Sequence, residues 1–454
     1  MNSNIKLAFT LVYDCIKGLF KHLVRVPLLG VMKGLYLFVS IPSVIFLLTL
    51  TAMVFRHPDV QMPQIDRFSF ALLLLSAVGY CLFKRSRLLF VEPIVFYMVS
   101  LTAIALVSTL VSPFVSHDAQ TWSSFSNKFF VPFTMFYLAK MVFDNERVVK
   151  YFFLFALIIT VYLIFISIAT VMNIEFLVIP RYILDPSLGP PEHVVRARGP
   201  FLSAAPNGMA IIILGFTALH WFQKKETNLS FTSLFIIFGT ISIFATMTRA
   251  IWLSFVVSVV IFFLNTRNAR FRKAMVPLIF ISLVSIILVL EFTGKAKLVS
   301  DRFHDNQNIV FRENLYVAGF KMFTERPLLG WGINGTPSLL PGFLQDYEDN
   351  VYVHNSYLEI LIEHGIVGLI LYILIFLHCF KIGGHIYRST RRDQTVLIDA
   401  KFVLLWRIFL GVYLINGMFA VMNYQFINAL IFTVAGIVSA AETRIAERAR
   451  IGTT

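Results

Sequence analysis

Residues 150–172 read KYFFLFALIITVYLIFISIATVM, and Lys150 is the only charged residue among them. An α-helix needs about 20 predominantly apolar residues to cross the hydrocarbon core of a bilayer, so this segment is long enough to span a membrane. Similar apolar runs recur between residues 34 and 441, and charged clusters separate them. The sequence therefore predicts an all-α polytopic membrane protein with about 12 transmembrane helices.

The composition of the whole chain favours the same class. Hydrophobic residues make up 57% of the 454 residues and charged residues only 14%, which leaves too little polar surface to coat a soluble globule. A net charge of +14 would suggest nucleic acid in a soluble protein, but in a membrane protein it first indicates sidedness. The three cysteines form no pattern typical of a disulfide framework or a metal site. We expect no nucleic-acid partner.

The apolar runs divide the chain into five parts. These are a basic amphipathic segment on the inner membrane surface (1–33), transmembrane helices one to nine (34–292), a large outer loop that is partly helical (293–353), transmembrane helices ten to twelve (354–441) and a cytoplasmic tail (442–454). The lysines of the first segment recur at helical intervals and no cleavage site follows, which favours an interfacial helix over a signal peptide. Almost no loop is predicted between the two spans within 229–265, or between the two within 401–441.

The basic residues indicate the orientation. Lysine and arginine are roughly twice as frequent in the N-terminal segment, one set of alternate loops and the C-terminal tail as in the opposite set of loops. Cytoplasmic loops carry this excess, so both termini are predicted to be cytoplasmic. The loop 293–353 then faces outward, and a loop of that length is usually functional.

Four arginines are predicted at or near the outer face: Arg196, Arg198, Arg249 and Arg312. Arg249 stands between two spans with hardly any loop, where a guanidinium is costly. The planar guanidinium suits a phosphate or diphosphate better than lysine does. Any one arginine could instead anchor a lipid headgroup, but four around one outer vestibule favour anion binding.

His354 opens the tenth predicted span. The unperturbed pKa of histidine is about 6.5, so a neutral imidazole at this position could accept a proton from a hydroxyl group. A histidine at the end of a span is also a common interfacial residue. Position alone leaves both interpretations open.

Glu359, Glu363 and Arg407 are charged residues that fall within predicted spans. By helical rise, the gap between Glu363 and Arg407 is one that an arginine side chain nearly bridges. A structural ion pair is the favoured interpretation, and a proton pathway is the alternative.

The run GWGING (330–335) matches the pattern GxGxxG. It follows no strand of a βαβ unit and lies on the predicted outer side, so a nucleotide site is not indicated. With Pro327 it predicts a tight turn.

Four stretches, in this order, resemble the bacterial O-antigen ligase and polymerase superfamily: RARGPFLSAAPNGMA (196–210), TMTRAIWLSF (246–255), FRENLYVAGFKMFTERPLLGWGING (311–335) and HNSYLEILIEHGIVGL (354–369). The resemblance implies a GT-C-like fold and a metal-independent glycosyltransferase of the bacterial inner membrane. It implies as partners a glycan donor carried on undecaprenyl diphosphate, membrane lipids and a glycan acceptor at the periplasmic face. The acceptor is either the lipid A core or a lipid-linked repeat.

The implied reaction is displacement of the lipid diphosphate by an acceptor hydroxyl, with inversion. Carried onto this sequence, the resemblance gives Arg198 and Arg249 the task of holding the diphosphate, with Arg196 and Arg312 as helpers. His354 would act as the base or orient the acceptor. Asn207 and Asn355, from the same motifs, are expected to bind substrate. No metal or cofactor is expected, because the outer loop has no tight D-x-D pair of the kind that chelates a divalent ion.

Three functions remain open on the sequence alone. The first is an O-antigen ligase that moves a finished glycan onto lipid A core. The second is an O-antigen or exopolysaccharide polymerase of the same fold, which shares the donor chemistry and differs in the acceptor. The third, from another class, is a lipid-linked oligosaccharide flippase or transporter, for which paired broken helices and a central cation site are typical.

Overall fold

The computed structural model describes residues 42–57, 64–84, 92–189, 193–224, 229–265, 269–294, 296–297, 300, 307–344, 351–389 and 396–451. The predicted interfacial segment 1–33 lies outside them. Within the described residues the protein is helical and contains no strand.

The main helices are separated by short connections and by irregular segments at one end of the bundle. In chain order they are α1 (Pro42–Val54), α2 (Ile65–Lys84), α3 (Pro93–Val111), α4 (Ala119–Phe125), a π-helix (Ser126–Phe130), α5 (Val131–Val142), α6 (Glu146–Val171), α7 (Ala204–Lys224), α8 (Leu229–Ala245), α9 (Arg249–Leu264), α10 (Ala269–Thr293), α11 (Gln307–Glu325), α12 (Gly335–Leu339), α13 (Ser356–Lys381), α14 (Gly384–Ser389), α15 (Ala400–Gly417) and α16 (Gln425–Ile451).

Eight of the described helical segments are long and apolar enough to cross a membrane: α2, α3, α6, α7, α10, the run α13–α14, α15 and α16. Three shorter apolar helices accompany them: α1, α8 and α9. In the described part of the chain this confirms an all-α protein with several candidate spans. The count of twelve spans and the GT-C-like fold stay predictions.

Polar residues start several of these helices. Asn145 caps α6 by accepting hydrogen bonds from the backbone N–H groups of Arg147 and Val148, both at 3.1 Å. Asp399 caps α15 through the N–H of Phe402 at 2.9 Å. Caps of this kind satisfy the first backbone donors of a helix, which have no partner within it.

Two bounds differ from the sequence prediction. The spans within 401–441 were expected to be joined by almost no loop, but α15 ends at Gly417 and α16 begins at Gln425, which leaves the segment 418–424 as a connection. The predicted tail also continues α16 as far as Ile451. The sequence did not indicate this connection, because all seven residues of 418–424 are uncharged and the first five are Met, Phe, Ala or Val.

The segment 327–335 is inserted into a break in α13. The backbone of α13 leaves the helical region at Gly365, where φ is 66° and ψ is −170°. The freed carbonyls of Ile362 and Glu363 accept hydrogen bonds from the N–H groups of Trp331 at 3.0 Å and Gly332 at 2.9 Å. The predicted turn is therefore present, and it also satisfies backbone groups inside a candidate span, where water is scarce.

Glycine is required on both sides of this junction. A Cβ atom on Gly365 would lie 2.1 Å from the carbonyl oxygen of Leu328, and one on Gly330 would lie 2.4 Å from that of Ile362. Both residues also have positive φ angles, 66° and 69°, which other residues adopt at a cost. The close approach fixes the inserted segment against α13.

The bundle has two polar ends. We call the end that contains residues 196–203, 246–249, 354–356 and 418–424 the site end. At the opposite end, the carboxylate of Glu442 accepts hydrogen bonds from the N–H of Gly383 and of His385, both at 2.9 Å. Three of the four motif stretches therefore contribute residues to the same end, although they are distributed over some 170 positions.

Candidate functional site

Arg198 is buried at the site end and is bound by backbone carbonyls. Its Nε donates to the carbonyl of Ile183 at 2.8 Å, and its two terminal nitrogens donate to those of Leu188 at 2.6 Å and Asp185 at 2.5 Å. Burial lowers the pKa of its guanidinium from the usual value. The geometry favours a role in holding the segment 183–188, and the predicted role as a diphosphate ligand stays a prediction.

Asn207 binds the turn that carries Arg196 and Arg198. It is fully buried, and its amide nitrogen donates to the hydroxyl of Ser167 and to the carbonyl of Ala197, each at 2.9 Å. A Cβ on Gly199 would lie 2.4 Å from the Asn207 Oδ1 atom. Asn207 thus ties the turn that carries Arg196 and Arg198 to α6, and this geometry favours support over direct contact with substrate.

Arg249 is the first residue of α9 and is exposed. The hairpin between α8 and α9 is closed by Trp252, whose indole N–H donates to the carbonyl of Ile243 at 3.0 Å and whose ring stacks on Phe244 at 4.6 Å. The N–H of Ala197 donates to the carbonyl of Ala245 at 2.9 Å. The turn that bears Arg196 and Arg198 is therefore joined directly to the hairpin that bears Arg249.

His354 is exposed and has a φ angle of 51°. A non-glycine residue in the left-handed region is strained by about 1–3 kcal/mol, and such strain is concentrated at functional sites. The next residue, Asn355, caps α13: its side-chain oxygen accepts from the N–H groups of Tyr357 at 3.0 Å and Leu358 at 3.1 Å. Asn355 thus fixes the backbone that presents His354, and its predicted contact with substrate stays a prediction.

The connection 418–424 brings the start of α13 against the end of α15. The hydroxyl of Ser356 donates to the carbonyl of Ala420 at 2.8 Å and accepts from the N–H of Met422 at 2.8 Å. One turn earlier, the amide of Asn416 donates to the hydroxyl of Ser254 on α9 at 3.0 Å. These contacts link the helix that starts at Arg249 to the helix that starts after His354.

The same connection also contacts the segment that follows Arg198. The hydroxyl of Tyr424 lies 3.2 Å from that of Ser203, and the ring of Phe426 stacks on Phe201 at 5.4 Å. Three chain segments that carry predicted site residues therefore meet around 416–426.

Arg312 lies on α11, which packs against the start of α13. A Cβ on Gly319 would lie 3.0 Å from the Ile362 side chain, so the two helices are in close contact. Val353, Phe311 and Val421 share one hydrophobic cluster. Because Phe311 precedes Arg312 and Val353 precedes His354, both predicted site residues border this cluster.

Glu359 and Glu363 form a buried ionic cluster with Lys128, below His354. The Lys128 Nζ atom lies 3.0 Å from Glu359 and 2.9 Å from Glu363. The predicted pair of Glu363 with Arg407 is wrong: the Arg407 guanidinium lies over the Tyr387 ring at 5.3 Å. The pairing with Arg407 was inferred only from depth along two helices. The π-helix brings a closer cation, Lys128, to Glu363.

Arg56 is a second cation at the site end that the sequence did not single out. Its guanidinium donates to the side-chain oxygens of Asn127 at 3.0 Å and Gln425 at 2.6 Å, and lies 3.8 Å from Asp66. Burial lowers its pKa. Arg56 falls in a short predicted outer loop, where its sequence context does not distinguish it from an arginine at the membrane interface.

Among the described residues no group of three or more His, Cys, Asp and Glu side chains could hold a metal ion. The arginine and lysine side chains above are cations that lie near the motif residues. They can stabilise negative charge that develops on a leaving group.

Comparison with known families supports the resemblance of the motif stretches. Residues 233–373 match the family model of the O-antigen ligases. The match confirms the resemblance to the O-antigen ligase and polymerase superfamily, whose members are glycosyltransferase-like ligases or polymerases. No curated protein matches the chain.

The matched region includes Arg249, Arg312, His354 and Asn355 and the whole inserted segment 327–335. Arg196, Arg198 and Asn207 precede it. The structure joins the two groups through the bond between Ala197 and Ala245.

Proposed function

We propose that the protein is an O-antigen ligase-type glycosyltransferase of the bacterial inner membrane. It moves a glycan from undecaprenyl diphosphate to an acceptor sugar of lipid A core at the periplasmic face, with inversion and without a metal. Both termini are cytoplasmic and the site end faces the periplasm. Substrates of this general kind, a lipid-linked glycan and an acceptor, are what the superfamily implies.

The observation that carries the proposal is the meeting of three segments around 416–426. Asn416 bonds to Ser254 on the helix that begins at Arg249, Ser356 bonds to Ala420 and Met422, and Tyr424 contacts Ser203. A transferase must hold a diphosphate and a hydroxyl group close together. An end of the bundle that assembles the arginine-bearing turns and the histidine-bearing helix start supports this task.

The arginines have different roles in the proposed reaction. Arg249, which is exposed at the start of α9, contacts the diphosphate, and Arg196 and Arg312 assist from neighbouring segments. Arg198 and Asn207 position the turn. Negative charge grows on the diphosphate as the bond to the sugar breaks, and cations already in place stabilise it without reorganisation.

His354 accepts the proton of the acceptor hydroxyl as that oxygen attacks the anomeric carbon. The hydroxyl oxygen forms the new glycosidic bond, the bond from the sugar to the diphosphate oxygen breaks, and the bond electrons leave with the diphosphate. Base assistance of this kind contributes about 10² to 10⁴ in rate. Asn355 holds the strained backbone at His354 by capping α13.

A transfer assay tests the proposal. Purified full-length protein in nanodiscs receives undecaprenyl-diphosphate-linked glycan and, in parallel, either a lipid A core acceptor or a second lipid-linked repeat unit. Glycan on the lipid A core supports the ligase, whereas elongation of the lipid-linked repeat alone would identify a polymerase. Absence of transfer to both acceptors would contradict the proposal.

One observation bears on the transport alternative. A broken helix and buried charges are typical of transporters, and α13 is broken at Gly365 beside Glu363. The break is filled by backbone from 327–335 and the carboxylates are paired with Lys128, which favours a fixed structural junction. Passage of lipid-linked glycan across a vesicle membrane without glycosyl transfer would reverse this assignment.

A further inference from the structure

Lys128 occupies an unusual position for a charged residue. It lies on the π-helix Ser126–Phe130, between α4 and α5, directly before the apolar run FFVPF (129–133). Its side chain is only 7% exposed. Single turns of π-helix inside a longer helical run occur frequently at functional sites, and a buried lysine is costly unless it is paired.

The two partners of Lys128 lie on successive turns of α13. Glu359 and Glu363 are four residues apart, so both face the same side of the helix. Lys128 donates to both, at 3.0 Å and 2.9 Å. The lysine therefore bridges the first two turns of the part of α13 that precedes the break at Gly365.

The cluster also holds the inserted segment. The second oxygen of Glu363 accepts the N–H of Asn334 at 2.9 Å, and the carbonyl of Glu363 accepts the N–H of Gly332 at 2.9 Å. The N–H of Ile333 donates to the hydroxyl of Thr109 on α3 at 3.1 Å. One carboxylate thus connects the inserted segment to Lys128, and the segment is connected in turn to α3.

We propose that Lys128 is a positioning residue of the transfer reaction: by bridging Glu359 and Glu363 it holds the first part of α13 and the inserted segment 327–335 as one unit, and so fixes His354 at the start of the helix. This inference rests on the proposed function.

The position of His354 depends on the first turns of α13. The break at Gly365 separates the first turns of α13 from the remainder of that helix, so those turns need their own support. Glu359 lies in the first turn of α13, three residues after its first residue Ser356 and about 4.5 Å along the helix axis. A displacement of about 1 Å at a reacting group can cost about 100-fold in rate. Lys128 acts through the backbone of α13 and has no assigned contact with substrate.

The test compares Lys128→Met with Lys128→Arg in the transfer assay. We expect Lys128→Met to lower kcat about 100-fold and to change the KM for the donor less than about threefold, because positioning affects the reacting geometry more than binding. Lys128→Arg keeps a cation that reaches two carboxylates, so its kcat should stay within about tenfold of the wild type.

Lys140→Met is the matched control. Lys140 is also buried and also pairs with a glutamate, Glu92, but it lies on α5 away from the motif residues. It should leave kcat unchanged even if the melting temperature falls. Hydrogen–deuterium exchange of the peptide that covers 327–335 should become faster in Lys128→Met and stay unchanged in Lys140→Met.

A triple variant covers the case in which Lys128→Met does not fold. Lys128→Met with Glu359→Gln and Glu363→Gln removes the three charges together, which avoids an unpaired buried charge. We expect this variant to fold and still to show a kcat at least tenfold below the wild type.

Two results would overturn the inference. One is a folded Lys128→Met protein with the kcat of the wild type. The other is a triple variant that regains both stability and kcat, which would make Lys128 only a counter-ion. Failure of the proposed function looks different: the wild type itself shows no transfer, while the exchange experiment still reports whether Lys128 holds the inserted segment.

Discussion

Arg198 and Arg249 come from neighbouring motifs at one end of the bundle, and their surroundings differ. Arg198 is 1% exposed, and three carbonyls occupy its donors. Arg249 is exposed at the first position of α9. The same residue type therefore serves two purposes: one guanidinium binds the backbone carbonyls of the segment 183–188, and the other is exposed where a ligand can reach it.

We expect the largest effect on kcat, from substitution of Arg249. Arg249→Ala should lower kcat for glycosyl transfer by about 100-fold or more, because a pre-placed cation that stabilises the leaving diphosphate is lost. The melting temperature should stay within a few degrees of the wild type, since changes at exposed positions cost little stability. Arg249→Lys should recover part of the activity. Undiminished transfer by folded Arg249→Ala would remove Arg249 from the site.

Arg198 should show the opposite pattern, with stability as the main effect. Arg198→Met removes the guanidinium donor from the carbonyls of Ile183, Asp185 and Leu188, and we expect the free energy of unfolding to fall by about 2–4 kcal/mol. Arg198→Lys should rescue poorly, because an ammonium group does not reproduce the planar fork that reaches three carbonyls.

Thermal unfolding in detergent measures this change, and the transfer assay at low temperature, where the variant is still folded, provides the second readout. If Arg198→Met keeps its stability and loses only donor binding, the structural role is wrong and Arg198 contacts the diphosphate as the sequence predicted.

We expect the smallest effect on the pH dependence of stability, from substitution of Asp185 in the segment 183–188 that Arg198 binds. Hydrogen bonds from the hydroxyl and N–H of Ser187 hold the pKa of Asp185 below its usual value. A carboxyl group with a lowered pKa in the folded state contributes stability above its unfolded pKa of about 3.9, and loses that contribution as the pH falls through its folded pKa. Asp185→Asn should therefore melt at a lower temperature than the wild type near neutral pH.

The difference between Asp185→Asn and the wild type should shrink as the pH falls below about 4. Melting temperatures across this range provide the measurement. A difference that grows on acidification would contradict the sign of the pKa change.

Much of the helical framework follows from local sequence. The run 150–172 lies almost entirely within α6, and Asn355 before SYLE is a recognisable cap at the start of α13. The hairpin at Arg249 was also expected, because two apolar runs meet there with hardly any loop. These features depend on neighbouring residues, so periodicity and capping chemistry predict them.

The features that the sequence did not predict depend on distant residues. Lys128 and Glu363 are 235 positions apart, and no local pattern indicates their pairing. The groups that bind the Arg198 guanidinium are backbone carbonyls, and no local sequence pattern identifies them. The insertion of 327–335 depends on two glycines, Gly330 and Gly365, whose close approach only the folded chain reveals.

Glycosyl transfer by His354 variants tests the central claim most directly. Purified wild-type protein, His354→Ala and His354→Gln receive the same lipid-linked glycan and acceptor under single-turnover conditions, with donor binding measured separately. We predict that the wild type transfers the glycan and that both variants bind the donor but transfer it at least 100-fold more slowly. Undiminished transfer by folded His354→Ala would contradict the account.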